Sequence, residues 1–90
     1  YDTHGWALSL SGAYDEAIPM LLRALNTNEF VQGYYHLAET HRRNGDLSLM
    51  QDAAALGVKL LEKPLQQGEN VTDETREKLR EWAGEQAPTS

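Results

Sequence analysis

The stretch Gly12-Ala13-Tyr14-Asp15-Glu16-Ala17-Ile18 decides how the rest of the chain is interpreted. Glycine accepts the left-handed backbone that a helix C-terminal cap requires, so Gly12 predicts the end of a preceding helix. After it, Ala17, Leu21 and Ala24 recur at three- and four-residue intervals, the period of an amphipathic helix. The stretch therefore predicts two helices joined by a turn at Gly12.

The chain resembles itself after a shift of 33 positions, which carries Gly12 onto Gly45. Large residues then fall on large ones and small residues on small ones. The other matched pairs are Tyr1 with Tyr34, Gly5 with Ala38, Tyr14 with Leu47, Ala17 with Met50, Leu21 with Ala54, and Ala24 with Gly57. Since self-similarity at such a period marks repeat architectures, a second helix–turn–helix is predicted around Gly45.

The same patterns predict where the helices begin and end. Four helices are expected at 1–11, 14–26, 30–44 and 47–62, with Asp46 as the N-cap of the fourth. Thr72 can cap a fifth helix with Asp73 and Glu74 in its first turn. One face of that helix is predicted to carry Thr75, Leu79, Trp82 and Ala83.

The domain organisation follows from these helices. Residues 1–62 are expected to form two helical pairs, the first truncated at its N-terminus. A polar linker at 63–71, a capping helix at 72–84 and a frayed tail at 85–90 complete the prediction. The predicted core consists of Leu8, Ala17, Leu21, Ala24, Leu25, Leu37 and Leu60.

Composition narrows the classes of partner. Fourteen acidic against eight basic residues give a net charge of -6, so binding to nucleic acid or to an anionic membrane surface is not expected. No apolar run approaches the roughly 20 residues that span a bilayer, and direct membrane insertion is not expected either. The absence of cysteine fits cytoplasm and periplasm equally, which leaves the compartment open.

The joint spacing of these residues resembles the tetratricopeptide (TPR) repeat family. The first copy matches through Gly5, Leu8, Gly12, Tyr14, Ala17, Leu21 and Ala24, and the second through Tyr34, Leu37, Ala38, Gly45 and Leu47. The resemblance implies an all-α fold of right-handed superhelical helix-turn-helix repeats with a C-terminal capping helix. An ankyrin array of similar period would need a Thr-Pro-Leu-His signature, which the chain lacks. An ordinary helical bundle with a chance repeat remains the alternative.

A finer similarity concerns the ends of larger proteins. The segments Asp2–Leu8 and Tyr35–Ala38 are similar to the last repeats of large bacterial TPR proteins linked to exopolysaccharide export. This resemblance implies further repeats upstream, a scaffolding role and a setting in the bacterial envelope.

The side chains give no pattern typical of catalysis. His36 and His41 are five residues apart, about 140° around a helix, so they cannot share one metal ion. No nucleophile elbow and no glycine-rich phosphate loop is present in the sequence. Neither an enzyme, a metal site nor a cofactor is therefore expected.

Binding of a protein or peptide is the expected function. In TPR arrays the first helix of each pair lines a groove, which the resemblance places here at Asp2, Trp6, Ser9, Gln32, Tyr35, Glu39 and Arg42. Against this stands the simpler interpretation that Trp6 and Tyr35 only pack between repeats. The second functional hypothesis is self-association, because two pairs are fewer than the roughly three repeats that a stable solenoid needs.

Overall fold

Five α-helices make up the regular structure of the described part of the chain. The computed structural model describes residues 2–63 and 71–84, with side chains from residue 5 onward. The helices are α1 (Asp2–Leu10), α2 (Tyr14–Thr27), α3 (Val31–Arg43), α4 (Leu47–Leu61) and α5 (Asp73–Trp82), and these segments contain no strand. The predicted all-α class is confirmed. Residues 64–70 of the predicted linker and the predicted tail at 85–90 lie outside the described residues.

The same backbone motif ends α1 and α3. Gly12 and Gly45 have φ angles of +88° and +84°, in the left-handed region. After α1 the Ala13 N–H donates to the Leu8 carbonyl at 2.9 Å, and after α3 the Asp46 N–H donates to the His41 carbonyl at 2.9 Å. Such six-to-one bonds define the Schellman cap, so both predicted glycine turns are confirmed.

Two helices begin with the side-chain caps that the sequence predicts. The Asp46 carboxylate accepts a hydrogen bond from the Leu49 N–H at 3.2 Å at the start of α4. The Thr72 hydroxyl accepts one from the Thr75 N–H at 3.2 Å at the start of α5. Because each bond satisfies a donor that the helix itself leaves unpaired, these residues fix where the two helices start.

The helices pack mainly against their neighbours in sequence. Each helix contacts the next one, and in addition α1 contacts α3 and α3 contacts α5. Among the described helices α2 and α4 do not meet, so the odd-numbered helices form a contacting row with α2 and α4 beside it. The assembled helices extend over 37 × 32 × 19 Å along their principal axes. None of the described helices is both long and apolar enough to cross a membrane.

The core lies between the row of odd-numbered helices and their two companions. Ala17, Leu21, Ala24, Leu25 and Leu37 are buried as predicted. The prediction was wrong for Leu8 and Leu60, which are only half-buried. Leu60 packs against the edge of the core near the end of α4, and among the described helices α1 has only α2 and α3 as neighbours to cover Leu8. Further buried side chains are Val31, Tyr34, Ala38, Ala53, Ala54, Val58, Val71, Leu79 and Trp82.

Candidate partner-binding face

A row of aromatic rings crosses the odd-numbered helices. Trp6 of α1 stacks on His36 of α3, with ring centroids 4.2 Å apart and planes at 9°. Tyr35 of α3 stacks on Trp82 of α5, with centroids 5.6 Å apart and planes at 7°. Trp6 and Tyr35 are themselves 6.5 Å apart, which links the two stacks. We call these four residues the aromatic face.

Two consecutive residues of α3 connect the stacks because of the helical twist. Successive side chains on an α-helix are about 100° apart, so Tyr35 and His36 point to different neighbours. His36 meets the ring of α1, and Tyr35 meets the ring of α5. The aromatic face thus depends on the contacts of α3 with both other helices of the row.

Three cations lie over the tryptophan rings. The guanidinium carbon of Arg42 lies 5.7 Å from the Trp82 ring centroid, and Lys78 Nζ lies 5.9 Å from the same ring. The guanidinium carbon of Arg43 lies 5.6 Å from the Trp6 ring. Each such contact contributes about 0.5–1 kcal/mol when exposed to solvent. The face is therefore aromatic in its body and cationic at its rim.

Glu39 organises the two arginines. The residue is 5% exposed. Its carboxylate accepts hydrogen bonds from Arg42 Nε at 3.2 Å, from Arg42 Nη2, and from Arg43 Nε at 2.7 Å. Burial alone would raise the pKa of Glu39, but the hydrogen bonds and positive charges of both arginines lower it below its ordinary value. Glu39 is therefore an ionised anchor that fixes two guanidinium groups.

A buried pair of hydroxyls joins α1 to α3 beneath the rings. Thr40 Oγ1 lies 2.7 Å from the His36 carbonyl oxygen and 2.8 Å from Ser9 Oγ. A hydroxyl has one proton, so Thr40 donates to the carbonyl and accepts from Ser9. Ser9 is fully buried, which corrects the expectation that it faces an open groove. The close approach of α1 and α3 covers it.

The other predicted groove residues have different surroundings. Trp6 and Tyr35 are half-buried, and the Arg42 side chain is 46% exposed. Gln32 is half-buried with its amide nitrogen 3.2 Å from His36 Nε2. Asp2 begins α1, and its side chain lies outside the described part. Sequence reasoning missed four members of the site, namely His36, Arg43, Lys78 and Trp82.

Glu39 gives this site a pH dependence whose direction can be predicted. A carboxylate with a lowered pKa stabilises the fold above its unfolded pKa, here near 4.5, and loses that effect as pH falls through the folded pKa. We expect Glu39→Gln to lower the free energy of unfolding by about 1–2 kcal/mol at pH 7, since its arginine partners are partly exposed.

The effect of Glu39→Gln should shrink as the pH falls below 4.5 and the parent carboxylate becomes protonated. Urea unfolding at pH 7 and near pH 3 measures both differences. Glu77→Gln provides the control, because Glu77 is exposed on α5. A loss of stability that is the same at both pH values would contradict the assigned role of the Glu39 charge.

The described residues contain no group of three or more histidine or acidic side chains placed to hold a metal ion. Comparison of the chain with protein-family models, with curated proteins and with solved structures gives no match.

Proposed function

We propose that this chain is a protein-interaction module of tetratricopeptide type, in which the aromatic face binds a segment of a partner protein. The observation that carries the proposal is the ring row, to which three helices contribute while three cations border it. Of the four residues in that row Trp6 and Tyr35 are half-buried, and half-buried aromatic rings beside arginines are typical of binding hot spots. Such rings offer apolar area to a partner, and the cations fix its orientation.

Two features support the repeat architecture in this proposal. The Schellman caps at Gly12 and Gly45 recur at the predicted 33-residue shift. The contact of α1 with α3 supports an arrangement in which the first helices of successive pairs lie side by side, and the contact of α3 with α5 continues that row. A groove along the odd-numbered helices would follow from that arrangement, as expected for a solenoid of helical pairs. In this proposal α5 is the helix that caps the second pair.

Both tryptophans of the chain lie on the aromatic face, which makes intrinsic fluorescence a direct test. Peptides selected from a random display library on the folded chain should change the tryptophan emission when they bind. Tyr35→Ala should weaken the affinity about tenfold, because it removes the ring that links the two stacks. Ser48→Ala, at an exposed position of α4, should have no effect.

The alternative function is self-association, and one observation favours it. A cleft of about 470 Å³ lies on the side of α2 and α4, with Leu25 and Leu37 in its lining and the half-exposed Leu22 and Leu56 beside them. Tyr34 also lines it. Burial and a hydrogen bond to Glu29 raise the pKa of Tyr34 to about 12, so its hydroxyl stays a donor.

The fluorescence test separates the two functions when the variant Leu56→Gln is included. The proposed use of the aromatic face would be overturned by three results together. Peptide binding would leave the tryptophan emission unchanged, Tyr35→Ala would not alter the affinity, and Leu56→Gln would abolish binding. Sedimentation of the same samples reports self-association. A dimer that Leu56→Gln dissociates, with no selected peptide binding the monomer, would establish the alternative instead.

A further inference from the structure

We infer that the aromatic face takes an acidic peptide segment, with carboxylate side chains on Arg42, Arg43 and Lys78 and apolar side chains against the rings of Trp6 and Tyr35. This inference rests on the proposed function and names the chemical class of the partner. Charge, the orientation of the arginines and their access to solvent carry it.

Cations gather at the aromatic face although the chain is acidic. The chain as a whole has a net charge of -6. Three cations lie over the tryptophan rings of the aromatic face, while Glu39 and Glu74 are the carboxylates whose charges act on Tyr35. At physiological salt, charges interact over about 8 Å, so an acidic segment is attracted here and repelled over the acidic remainder.

The guanidinium groups of Arg42 and Arg43 are already oriented by the protein. Glu39 uses Nε and Nη2 of Arg42 and Nε of Arg43. A guanidinium has five N–H donors in a rigid fork, so donors remain on both groups. The ring of Trp82 supports Arg42 and the ring of Trp6 supports Arg43. A carboxylate can meet such donors in a bidentate manner with little loss of side-chain freedom.

Solvent reaches the two arginines but not the carboxylate that orients them. The Arg42 and Arg43 side chains are 46% and 34% exposed, whereas the carboxylate that orients them is only 6% exposed at its side chain. The Glu39 carboxylate is thus buried, whereas the guanidinium donors of Arg42 and Arg43 reach solvent. An incoming carboxylate would bind the two arginines without displacing Glu39, because it would accept hydrogen bonds from N–H groups that Glu39 does not use.

The test measures binding of matched, fluorescently labelled peptides by anisotropy. The three peptides alternate leucine with glutamate, with glutamine or with lysine. We expect the glutamate peptide to bind about tenfold more tightly than the glutamine peptide, and the lysine peptide to bind most weakly. Raising the ionic strength from about 0.01 M to about 0.15 M shortens the Debye length from about 30 Å to about 8 Å and should weaken the glutamate peptide severalfold.

The variants locate the effect on the face. Lys78→Gln should lower the affinity for the glutamate peptide about threefold. The double variant Arg42→Gln, Arg43→Gln should lower it about tenfold. The double variant leaves Glu39 buried without partners and could fail to fold. Lys78→Gln has no such cost, because Lys78 makes no ion pair with the described residues, so it keeps the test decisive. Lys59→Gln removes the same charge from an exposed position of α4 and should change nothing.

Each remaining outcome is decisive. Equal binding of the glutamate and glutamine peptides, or tighter binding of the lysine peptide, overturns the acidic class and leaves the proposed function standing. No binding of any peptide overturns both. Tighter binding of single-stranded oligothymidine than of the glutamate peptide would reassign the face to nucleic acid. An equal loss of affinity for the glutamate peptide in Lys59→Gln and Lys78→Gln would show that the net charge of the chain, and not the aromatic face, attracts the peptide.

Discussion

Replacing Leu21 with alanine should lower the free energy of unfolding by about 2–5 kcal/mol. Leu21 is fully buried and is among the largest fully buried side chains. It also faces Gly5 of α1 so closely that a Cβ on Gly5 would lie 2.9 Å from Leu21 Cγ. Truncation therefore removes apolar contacts and opens a cavity where α1 meets α2. In a domain of this size the melting temperature should fall by about 8 °C or more.

The matched control for Leu21→Ala is the adjacent residue. Leu22 is 50% exposed on the same helix, so Leu22→Ala makes the same chemical change with much less buried area at stake. We expect that variant to lose less than about 1 kcal/mol. Thermal and urea unfolding followed by circular dichroism give both values. Similar losses for the two variants would mean that Leu21 is not the central contact between α1 and α2.

Trp82→Ala should be the other severe change, with a loss of about 3–5 kcal/mol. The residue is 9% exposed, stacks on Tyr35 and supports the cations of Arg42 and Lys78. It is one of the few buried residues of α5, together with Thr75 and Leu79. Loss of the ring should therefore loosen α5 from α3 before the remaining helices unfold.

Two variants sharpen the Trp82 experiment. Trp82→Phe keeps an aromatic ring for stacking on Tyr35 and should restore more than half of the stability lost in Trp82→Ala. Arg80→Ala changes an exposed residue of the same helix and should stay within about 0.5 kcal/mol of the parent. Hydrogen exchange of the α5 amides should rise selectively in Trp82→Ala. If these amides exchange as slowly as in the parent, Trp82 does not hold α5 in place.

The helix boundaries could be predicted because they are encoded locally. Gly12 and Gly45 end helices through their own backbone conformation, and Asp46 and Thr72 start helices through one side-chain bond each. None of these signals needs knowledge of distant contacts. The predicted bounds of the first four helices accordingly differ from the observed ones by no more than one residue.

The depth of side chains could not be predicted in the same way. A helical period shows which residues share a side of the helix but not how closely the next helix approaches. Ser9 and Glu39 share the side of α1 and of α3 that carries the site, yet both are buried, one against Thr40 and the other beneath two arginines. Trp82 joined the site through the packing of α5 on α3, which lies beyond the reach of local patterns.

Because the helices contact only near neighbours along the sequence, a chain of this kind can gain helices without a change in its existing contacts. No described helix touches one more than two places further along, and α1 and α5 do not meet. Duplicating α3 and α4 would therefore present each new helix with neighbours of the kind it already has. Length could grow by gene duplication in units of two helices, with no closed core to break open. Every added unit would bring another Tyr35 and another arginine pair, and so extend the aromatic face in register with the fold.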